Sequence, residues 1–304
     1  GADIIETNTF GATSVVLAEY DIAERARELN LAAARLAVES ANAYSTEEWP
    51  RYVAGAIGPT TKTLSVTGGV TFEQLIEAYY EQALALIEGG VDVLLLETSQ
   101  DTLNVKAGSI GIRQAFERSG KTLPIMISGT IEPMGTTLAG QSIEAFYISL
   151  EHLKPMSVGL NCATGPEFMR DHIRTLSAIS EAPISCYPNA GLPDEDGHYH
   201  ESPESLATKL AGFAEQGWLN IAGGCCGTTP EHIRVLAEKM KQYAPRQTKG
   251  EHPPAVSGVE TVYVEPENRP IFIGERTNVL GSRKFKRLIA EEKFDEASEI
   301  ARAQ

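Results

Sequence analysis

The sequence predicts a barrel of parallel β-strands in which each strand is followed by a helix. Short apolar runs rich in β-branched residues recur along the chain, and longer segments with helical periodicity separate them. The runs are almost continuously apolar, which is typical of strands buried on both faces of a parallel sheet. The predicted strands are Ile4–Phe10, Tyr52–Ile57, Val91–Glu97, Pro124–Ile131, Met156–Cys162, Pro183–Pro188 and Leu219–Ala222.

Seven strand–helix units are visible in this pattern. The simplest completion is an eight-stranded (β/α)8 barrel of the TIM type whose first unit lies upstream of residue 1. A doubly wound open sheet is the alternative fold. The opening residues Gly1–Phe10 resemble a helix end that runs into a buried strand, and the last residues stop inside a helical pattern. We therefore expect the chain to be a segment of a longer protein.

Several of the predicted helices carry start signals. Thr71 and Gln74 form a capping box before the helix that follows the second strand. Pro166, Pro203 and Pro230 stand at first helical positions, and each is followed by a glutamate. Proline fits the first turn of a helix, and an acidic neighbour favours the positive end of the helix dipole.

After the seventh unit the character of the sequence changes. Residues 244–268 are polar and hold four prolines, so we predict an extended linker. Pro270–Gly274 is predicted as a new strand and Lys284–Gln304 as an amphipathic helix. The predicted domains are the first barrel at residues 1–243, the linker, and residues 269–304 as the first strand–helix unit of a second barrel.

The composition argues against several classes of protein. A formal charge of −15 over 304 residues is unlike a nucleic-acid-binding surface, which needs a clustered positive patch. The apolar runs are far shorter than the roughly 20 residues that span a membrane, so we expect no membrane partner. Four cysteines without a secretory signal favour a reducing compartment. We therefore expect a cytoplasmic enzyme that uses thiol or metal chemistry.

Polar residues stand where the predicted strands end. Active sites of α/β barrels lie at the carboxyl ends of the strands, so these side chains are expected to converge in space. The strand-end residues are Glu6, Asn8, Glu97, Thr98, Asp101, Ser128, Thr130, Asn161, Cys162, Asn189, Cys225 and Cys226. Glu97 and Asp101 could bind a substrate ammonium group. Asp101 could equally be the N-cap of the helix that follows it.

Cys162, Cys225 and Cys226 are predicted to form a three-thiolate zinc site. Zinc prefers tetrahedral coordination, and a catalytic site keeps one of its four positions open for a substrate. Two adjacent cysteines reach one metal only if the backbone turns sharply, and the flanking glycines allow such a turn. Buried core cysteines and a strained vicinal disulfide are the alternatives.

Three further residues with metal-binding side chains are interpreted differently. Cys186 lies in the middle of a predicted strand without a nearby partner, so we expect an inert core residue. His198 and His200 could chelate a metal. Their loop is rich in proline, aspartate and glycine, and this composition favours solvated side chains.

The two segments that contain the predicted zinc cysteines resemble a known family of enzymes. GLNCA at residues 159–163 and GGCCGTTPEHI at residues 223–233 resemble the zinc-dependent homocysteine S-methyltransferases. Further segments are similar to the homocysteine-binding module of cobalamin-dependent methionine synthases. They are DIIETNTFG (3–11), AGAIGPT (54–60), ETSQDTLNVKA (97–107), PIMISGTI (124–131) and YPNAGLP (187–193). The resemblance covers about residues 1–244.

The tail of the chain separates the subfamilies. IGERTNVLGSRKFKRLI, residues 273–289, is similar to the start of the pterin-binding barrel that follows this module in methionine synthases. The simpler homocysteine methyltransferases, which use betaine or S-methylmethionine, end after the first barrel. The resemblance therefore implies the methionine synthase subfamily, truncated at both ends.

The resemblance also implies roles for individual residues. Cys162, Cys225 and Cys226 match the zinc ligands, and Asn189 matches a position that completes the zinc shell before the substrate arrives. The residues assigned to homocysteine binding are Asn8, Glu97, Asp101 and Thr130. Glu275 and Asn278 match the opening of the folate site.

The implied reaction forms methionine from homocysteine. The zinc-bound homocysteine thiolate attacks the methyl group of methylcobalamin, and 5-methyltetrahydrofolate then remethylates the cobalt. Homocysteine and the cobalamin-binding and folate-binding modules of the same full-length protein are the expected partners. Two alternatives stay open. One is a cobalamin-independent homocysteine S-methyltransferase that uses a small onium donor, and the other is a non-catalytic zinc-binding scaffold.

Overall fold

The computed structural model describes residues 1–248 and 250–304, so Lys249 of the predicted linker lies outside the described residues. The chain forms two compact units, residues 1–262 and residues 263–304. Within the described residues, the helices lack the combination of length and apolar character that crossing a membrane requires.

Seven parallel strands form the sheet of the first unit, and their spatial order is their order in the sequence. The strands are β1 (Ile4–Glu6), β2 (Tyr52–Ile57), β3 (Val93–Ser99), β4 (Ile125–Gly129), β5 (Ser157–Asn161), β6 (Ile184–Tyr187) and β7 (Ile221–Ala222). A doubly wound sheet reverses its strand order at a switch point, so the sequential order excludes that alternative. The sheet curls into a half-barrel that agrees with a TIM-like barrel.

Helices between the strands cover the outer face of the sheet. They are α1 (Ala26–Tyr44), α2 (Phe72–Gly89), α3 (Thr102–Ser119), α4 (Ile143–Leu150), α5 (Pro166–Ile179) and α6 (Pro203–Glu215), and α7 (Pro230–Met240) follows β7. The predicted capping box is confirmed. The Gln74 N–H donates to Thr71 Oγ1 at 3.2 Å, and the Thr71 N–H donates to Gln74 Oε1 at 2.8 Å. The prolines predicted at helix starts open α5, α6 and α7.

Side chains alternate between the two faces of each strand. In β3, Leu94 and Leu96 pack in the outer core against the helices, whereas Val93 and Leu95 belong to an apolar cluster on the inner face. Because strand side chains repeat every two residues, Glu97 occupies the next inner position at the carboxyl end of β3. The inner face of the sheet is therefore apolar along most of the strands and acidic at their carboxyl ends.

A cavity of about 710 Å³ opens on the inner face, lined by residues of β1, β7 and α7. It reaches across the inner face to Leu95, Met126 and Tyr187. In the described chain, β1 and β7 are the two edge strands of the sheet. The strand of the first strand–helix unit, which is predicted upstream of residue 1, would lie between them, and this stays a prediction.

The segment after α7 differs from the predicted extended linker. Two short strands, β8 (Ala255–Ser257) and β9 (Thr261–Tyr263), form a hairpin. The Ser257 hydroxyl donates to the Ala145 carbonyl of α4 at 2.7 Å. β-Branched residues on either side of Gly258 are a hairpin signal, and the prolines nearby obscured it in the sequence.

The predicted strand Pro270–Gly274 is wrong, because these residues form no strand in the second unit. Phe272 and Ile273 are 93% and 84% exposed. A strand is stable only where a neighbour takes up its backbone hydrogen bonds, and the described part of this unit offers no such neighbour here.

The single helix predicted over Lys284–Gln304 is also wrong, because two helices occupy this range. They are α8 (Arg283–Ala290) and α9 (Phe294–Arg302). A Schellman motif ends α8: the Lys293 N–H donates to Leu288 O at 2.9 Å, and Glu292 is left-handed with φ +55°. The amphipathic periodicity of the segment does not reveal this break.

Candidate functional site

Three thiols meet at the carboxyl ends of the barrel strands. Cys162 follows β5 directly, and Cys225 and Cys226 lie three and four residues beyond the end of β7. The Cys226 sulfur is 3.9 Å from the Cys162 sulfur and 3.9 Å from the Cys225 sulfur. All three sulfurs lie within 4.8 Å of one another. Residues 63 positions apart in sequence thus form one cluster, which we call the thiol centre.

The backbone around the thiol centre is held by loop-to-loop hydrogen bonds. The Cys225 N–H donates to Pro188 O at 2.8 Å, and the Cys226 carbonyl accepts from the Ala190 N–H at 2.9 Å. Cys162 itself has a left-handed backbone with φ +59°. Left-handed non-glycine residues are strained and concentrate at functional sites. The loop after β6 therefore holds the two neighbouring cysteines in place.

The sulfur spacing excludes a disulfide and fits a metal. A disulfide needs an S–S distance of about 2.05 Å, and all four cysteines are free thiols. In a tetrahedral zinc site with Zn–S bonds of about 2.3 Å, the sulfurs are about 3.8 Å apart. The two 3.9 Å distances from the Cys226 sulfur match this value, and the third pair lies within 4.8 Å. The spacing of the three thiols is therefore compatible with a zinc-sized ion.

The three thiols share their protons unequally. A hydrogen bond from Cys225 lowers the pKa of Cys162 to about 6, although partial burial opposes this shift. The same hydrogen bond and burial raise the pKa of Cys225, and burial raises the pKa of Cys226. Cys162 is therefore the thiol of the centre that loses its proton most readily. A bound cation has to displace the remaining protons.

Asn189 lies beside the thiol centre, with 3% of its surface exposed. Its Oδ1 accepts a hydrogen bond from the Cys226 N–H at 3.1 Å. Its side chain also donates a hydrogen bond that lowers the pKa of Cys162. An amide oxygen has two acceptor positions, so one of them stays available. Asn189 as a fourth metal ligand stays a prediction.

Glu97 is a buried acid at the carboxyl end of β3, with 4% of its surface exposed. Burial and then the negative charges of Glu6 and Cys162 raise the pKa of its carboxyl to about 8. Glu6 is exposed to the interior cavity, and desolvation by the surrounding protein also raises the pKa of its carboxyl. A cationic group placed beside these two carboxyls would favour their ionised forms. The pair is suited to an ammonium group.

Asp101 serves as the N-cap of α3. Its carboxylate accepts hydrogen bonds from the Leu103 N–H at 2.9 Å, the Ser65 N–H at 2.8 Å and the Ser65 hydroxyl at 3.1 Å. It is 2% exposed. The Leu103 bond is the helix cap, and the two bonds from Ser65, which lies 36 residues earlier in the chain, complete the contacts of both carboxylate oxygens. Its predicted role in substrate binding stays a prediction.

The other two residues predicted for homocysteine have different surroundings. Thr130 is 1% exposed, and its hydroxyl finds no hydrogen-bond partner among the described residues. A buried hydroxyl without a partner is costly, and a substrate could satisfy it. Asn8 lies on the exposed turn after β1.

The residues predicted for folate belong to the second unit. Glu275 and Asn278 are both exposed. Asn278 shapes a turn, because its Oδ1 accepts from the Leu280 N–H at 2.9 Å and its carbonyl from the Ser282 N–H at 2.8 Å. Their folate role stays a prediction.

The histidine loop after β6 lies at the surface. His200 Nε2 is 2.6 Å from Asp194 Oδ2, and both side chains are exposed. Asp194, Asp196 and His198 also lie close enough together to hold a metal, but all three are exposed. Exposed carboxylates are common without a metal. The geometry therefore agrees with the predicted solvated loop.

Tyr199 is a site residue that the sequence did not indicate. Its ring packs directly on Gly227, where an added Cβ would lie 2.3 Å from the Tyr199 Cγ. Gly227 has φ +77°, so both its conformation and its contact exclude a side chain. Partial burial and then the neighbouring Cys226 thiol raise the pKa of Tyr199. Only the folded loop shows that this ring lies against the thiol centre.

Fold and site together define a class of protein. It is an α/β-barrel protein that gathers three thiols at the carboxyl ends of its strands, where barrels carry their active sites. The sequence model of the homocysteine S-methyltransferase family matches residues 1–240. The chain therefore belongs to the homocysteine S-methyltransferase family, whose members are enzymes that methylate homocysteine.

Solved structures with this fold include the homocysteine methyltransferase MmuM from Escherichia coli. The oxidised form aligns with a TM-score of 0.64 at 21% identity, over 79% of this chain and 80% of that chain. The metallated form aligns with a TM-score of 0.63 at 22% identity over the same shares. At these identities the similarity concerns the fold alone.

Proposed function

We propose that this chain is the homocysteine-activating part of a cobalamin-dependent methionine synthase. It would hold zinc on Cys162, Cys225 and Cys226 and pass the methyl group of methylcobalamin to homocysteine sulfur. The observation that supports the proposal is the clustering of the three sulfurs at the strand ends, all within 4.8 Å of one another and 3.9 Å apart in two of the three pairs. Family membership supplies homocysteine as the methyl acceptor.

The chain's own groups explain why zinc suits this site. Three thiolates offset the charge of Zn²⁺ and leave one tetrahedral position open. When bound, zinc lowers the pKa of a substrate thiol, so that the thiolate nucleophile exists at neutral pH. We assign the open position before the substrate arrives to Asn189, and the hydrogen bonds of its amide with Cys162 and Cys226 support this assignment.

The acidic interior supplies a site for the amino-acid end of homocysteine. Glu97 keeps its proton near neutral pH because its pKa is raised to about 8. An arriving ammonium group would lower that pKa and form a charge-assisted hydrogen bond with the carboxylate. The unpartnered hydroxyl of Thr130 lies at the end of the adjacent strand β4. Thiol and ammonium groups would thus be held at two separate points.

The transfer itself is a displacement at the methyl carbon. Methylcobalamin would supply the methyl group: the sulfur–carbon bond to homocysteine would form as the cobalt–carbon bond breaks, and the bonding pair would leave with the cobalt. A folate-binding module would then supply a new methyl group from 5-methyltetrahydrofolate. The resemblance of residues 273–289 to the start of such a module supports this choice of donor.

A donor comparison tests the proposal. The protein loaded with one equivalent of zinc is mixed with homocysteine and either methylcobalamin or S-methylmethionine. We expect methionine and Co(I), seen by its absorption spectrum, with methylcobalamin, and only background methionine with S-methylmethionine. Methionine from S-methylmethionine alone would instead establish the cobalamin-independent alternative. Methionine from neither donor would leave the non-catalytic zinc scaffold.

A further inference from the structure

Asn161 makes a side-chain network that links three strand ends. Its Oδ1 accepts from the Thr98 N–H at 3.0 Å and from the Ser128 hydroxyl at 2.7 Å. Its Nδ2 donates to Thr98 Oγ1 at 2.7 Å. Asn161 is fully buried, with 0% of its surface exposed. One amide therefore joins β5 to both β3 and β4 in the barrel interior.

The network holds a strained residue. Thr98 has a left-handed backbone with φ +53°, which is unfavourable for a β-branched side chain. It lies in the irregular stretch of β3 where the pairing with β4 shifts between Leu96 and Ser99. Two of the three Asn161 hydrogen bonds go to Thr98, one to its backbone and one to its side chain. Without them, Thr98 loses the contacts that compensate this strain.

Two residues of the network are direct neighbours of site residues in the sequence. Thr98 directly follows Glu97, and Asn161 directly precedes Cys162. The Asn161 amide thus joins the residue beside the ammonium-binding acid to the residue beside a thiol ligand. We propose that Asn161 is a positioning residue that sets the distance between the Glu97 carboxyl and the thiol centre. This inference rests on the proposed function.

A fixed distance of this kind selects the length of the substrate. Homocysteine carries one methylene more than cysteine between its amino-acid end and its sulfur. A site that holds both ends at a set separation accepts the longer amino thiol and leaves one end of the shorter one unbound. Discrimination by a single methylene is typically about 10-fold to 200-fold. Loosening the network should therefore reduce this discrimination as well as the affinity for homocysteine.

Asn161→Ala tests the inference, because a positioning role should change the KM for homocysteine and leave kcat nearly unchanged. We expect the KM for homocysteine to rise about tenfold and the preference over cysteine, measured as inhibition by cysteine, to fall. Zinc content should remain one per chain, and kcat at saturating homocysteine should stay within about threefold. A glycine at position 98 adopts positive φ without strain. Adding Thr98→Gly to Asn161→Ala should therefore recover part of the lost affinity.

Asn220→Ala is the matched control. Asn220 also joins strand ends through its amide, accepting from the Ile184 N–H at 2.9 Å and donating to Arg246 O at 2.8 Å. It precedes β7, so its network lies at the opposite end of the sheet from the thiols. We expect a loss of stability with an unchanged KM for homocysteine.

A second variant keeps the test decisive if Asn161→Ala does not fold. Thr98→Val preserves side-chain shape and removes only the oxygen that accepts from Asn161. It should raise the KM for homocysteine about threefold with zinc retained. Unchanged KM and selectivity in both variants, with wild-type turnover intact, would overturn the inference alone. A wild-type protein that neither binds nor methylates homocysteine would overturn the proposed function itself.

Discussion

At the scale of single residues, the surroundings of the four cysteines divide them into two kinds. Cys186 is fully buried in β6, and its sulfur lies 3.8 Å from the Met169 sulfur. Burial raises the pKa of its thiol. The three thiols of the centre are instead partly accessible at the strand ends. A buried thiol in apolar surroundings is inert, whereas clustered accessible thiols can bind metal.

This division predicts opposite outcomes for two alanine variants. Cys225→Ala should lose stoichiometric zinc and methyl transfer while its helix content stays near normal, because the thiol centre is at the surface of the barrel end. Cys186→Ala should keep one zinc per chain and lose about 1–2 kcal/mol of unfolding free energy from the small cavity. Zinc analysis and denaturant unfolding measure both. Full zinc occupancy in Cys225→Ala would contradict the three-thiol site.

Some residues of the site were predictable from the sequence, and others were not. The separation of Cys162 from the adjacent pair, and its placement at predicted strand ends, indicated that these thiols converge. The sequence leaves Asp101 open between a helix cap and a substrate ligand, and only the structure shows its bond from Leu103 and its two bonds from the distant Ser65. The Asn161 amide and the Tyr199 ring act through contacts between distant strands and loops. Such contacts leave no periodic signal in a sequence.

At the scale of elements, β5 and β6 approach one another unusually closely beside the site. A Cβ added at Gly159 would lie 2.0 Å from Ser185 O, an atom of the β6 backbone. Neither strand can move without disturbing the pairs Gly159–Ser185 and Asn161–Tyr187. Gly159 is therefore required by the packing of the sheet.

Two glycine variants test this packing. Gly159→Ala should lower the unfolding free energy by about 3 kcal/mol, the upper end for overpacked sites, and lower zinc affinity because Cys162 lies on the same strand end. Gly212→Ala in α6 meets no atom within 4 Å. It should raise the unfolding free energy by about 0.5–1 kcal/mol. Equal effects of the two substitutions in chemical denaturation would refute the close approach.

Elements with strong local signals were predictable, and those decided by tertiary context were not. Apolar β-branched runs located all seven strands of the sheet, and the Thr71 capping box and the three prolines located helix starts. The strand ends were less predictable: β1 stops at Glu6, before the predicted end at Phe10, whereas β3 continues to Ser99, beyond the predicted end at Glu97. Pro270–Gly274 has the composition of a strand but no neighbour to pair with in the described unit.

At the scale of the whole molecule, the segment after α7 is fastened to the barrel. Arg246 is 5% exposed and donates to the carbonyls of Ser177, Ser180 and Ala182 at 2.6 to 3.2 Å. These carbonyls lie at and beyond the carboxyl end of α5, which favours a cation. His252 adds a second attachment, with Nε2 2.8 Å from Glu151 Oε2.

The His252 attachment predicts a pH-dependent contribution to stability. Burial lowers the pKa of His252, but the Pro253 carbonyl and the charges of Glu151 and Glu181 outweigh it and raise the pKa. A raised folded pKa stabilises the fold fully below about pH 6.5, the ordinary histidine value. The contribution is lost as the pH rises through the folded pKa.

His252→Gln should therefore lower the unfolding free energy more at pH 6 than at pH 9, by about 1 kcal/mol or less. The ring of Tyr147 packs edge-on against His252 and should keep the remaining, pH-independent part of the contact. His152→Gln, at an exposed position, is the control. Equal losses at both pH values would show that the ion pair contributes nothing.

The sequential strand order brings the ends of β5 and β7 together on one rim, with β6 between them. Two segments that are separate in the chain can therefore share one metal, and the whole sheet is the scaffold for the thiol centre. X-ray absorption at the zinc edge tests this claim most directly. We expect three sulfur ligands and one lighter atom in the resting protein, and four sulfur ligands after homocysteine is added. Fewer than three sulfurs at rest, or no added sulfur with homocysteine, would contradict it.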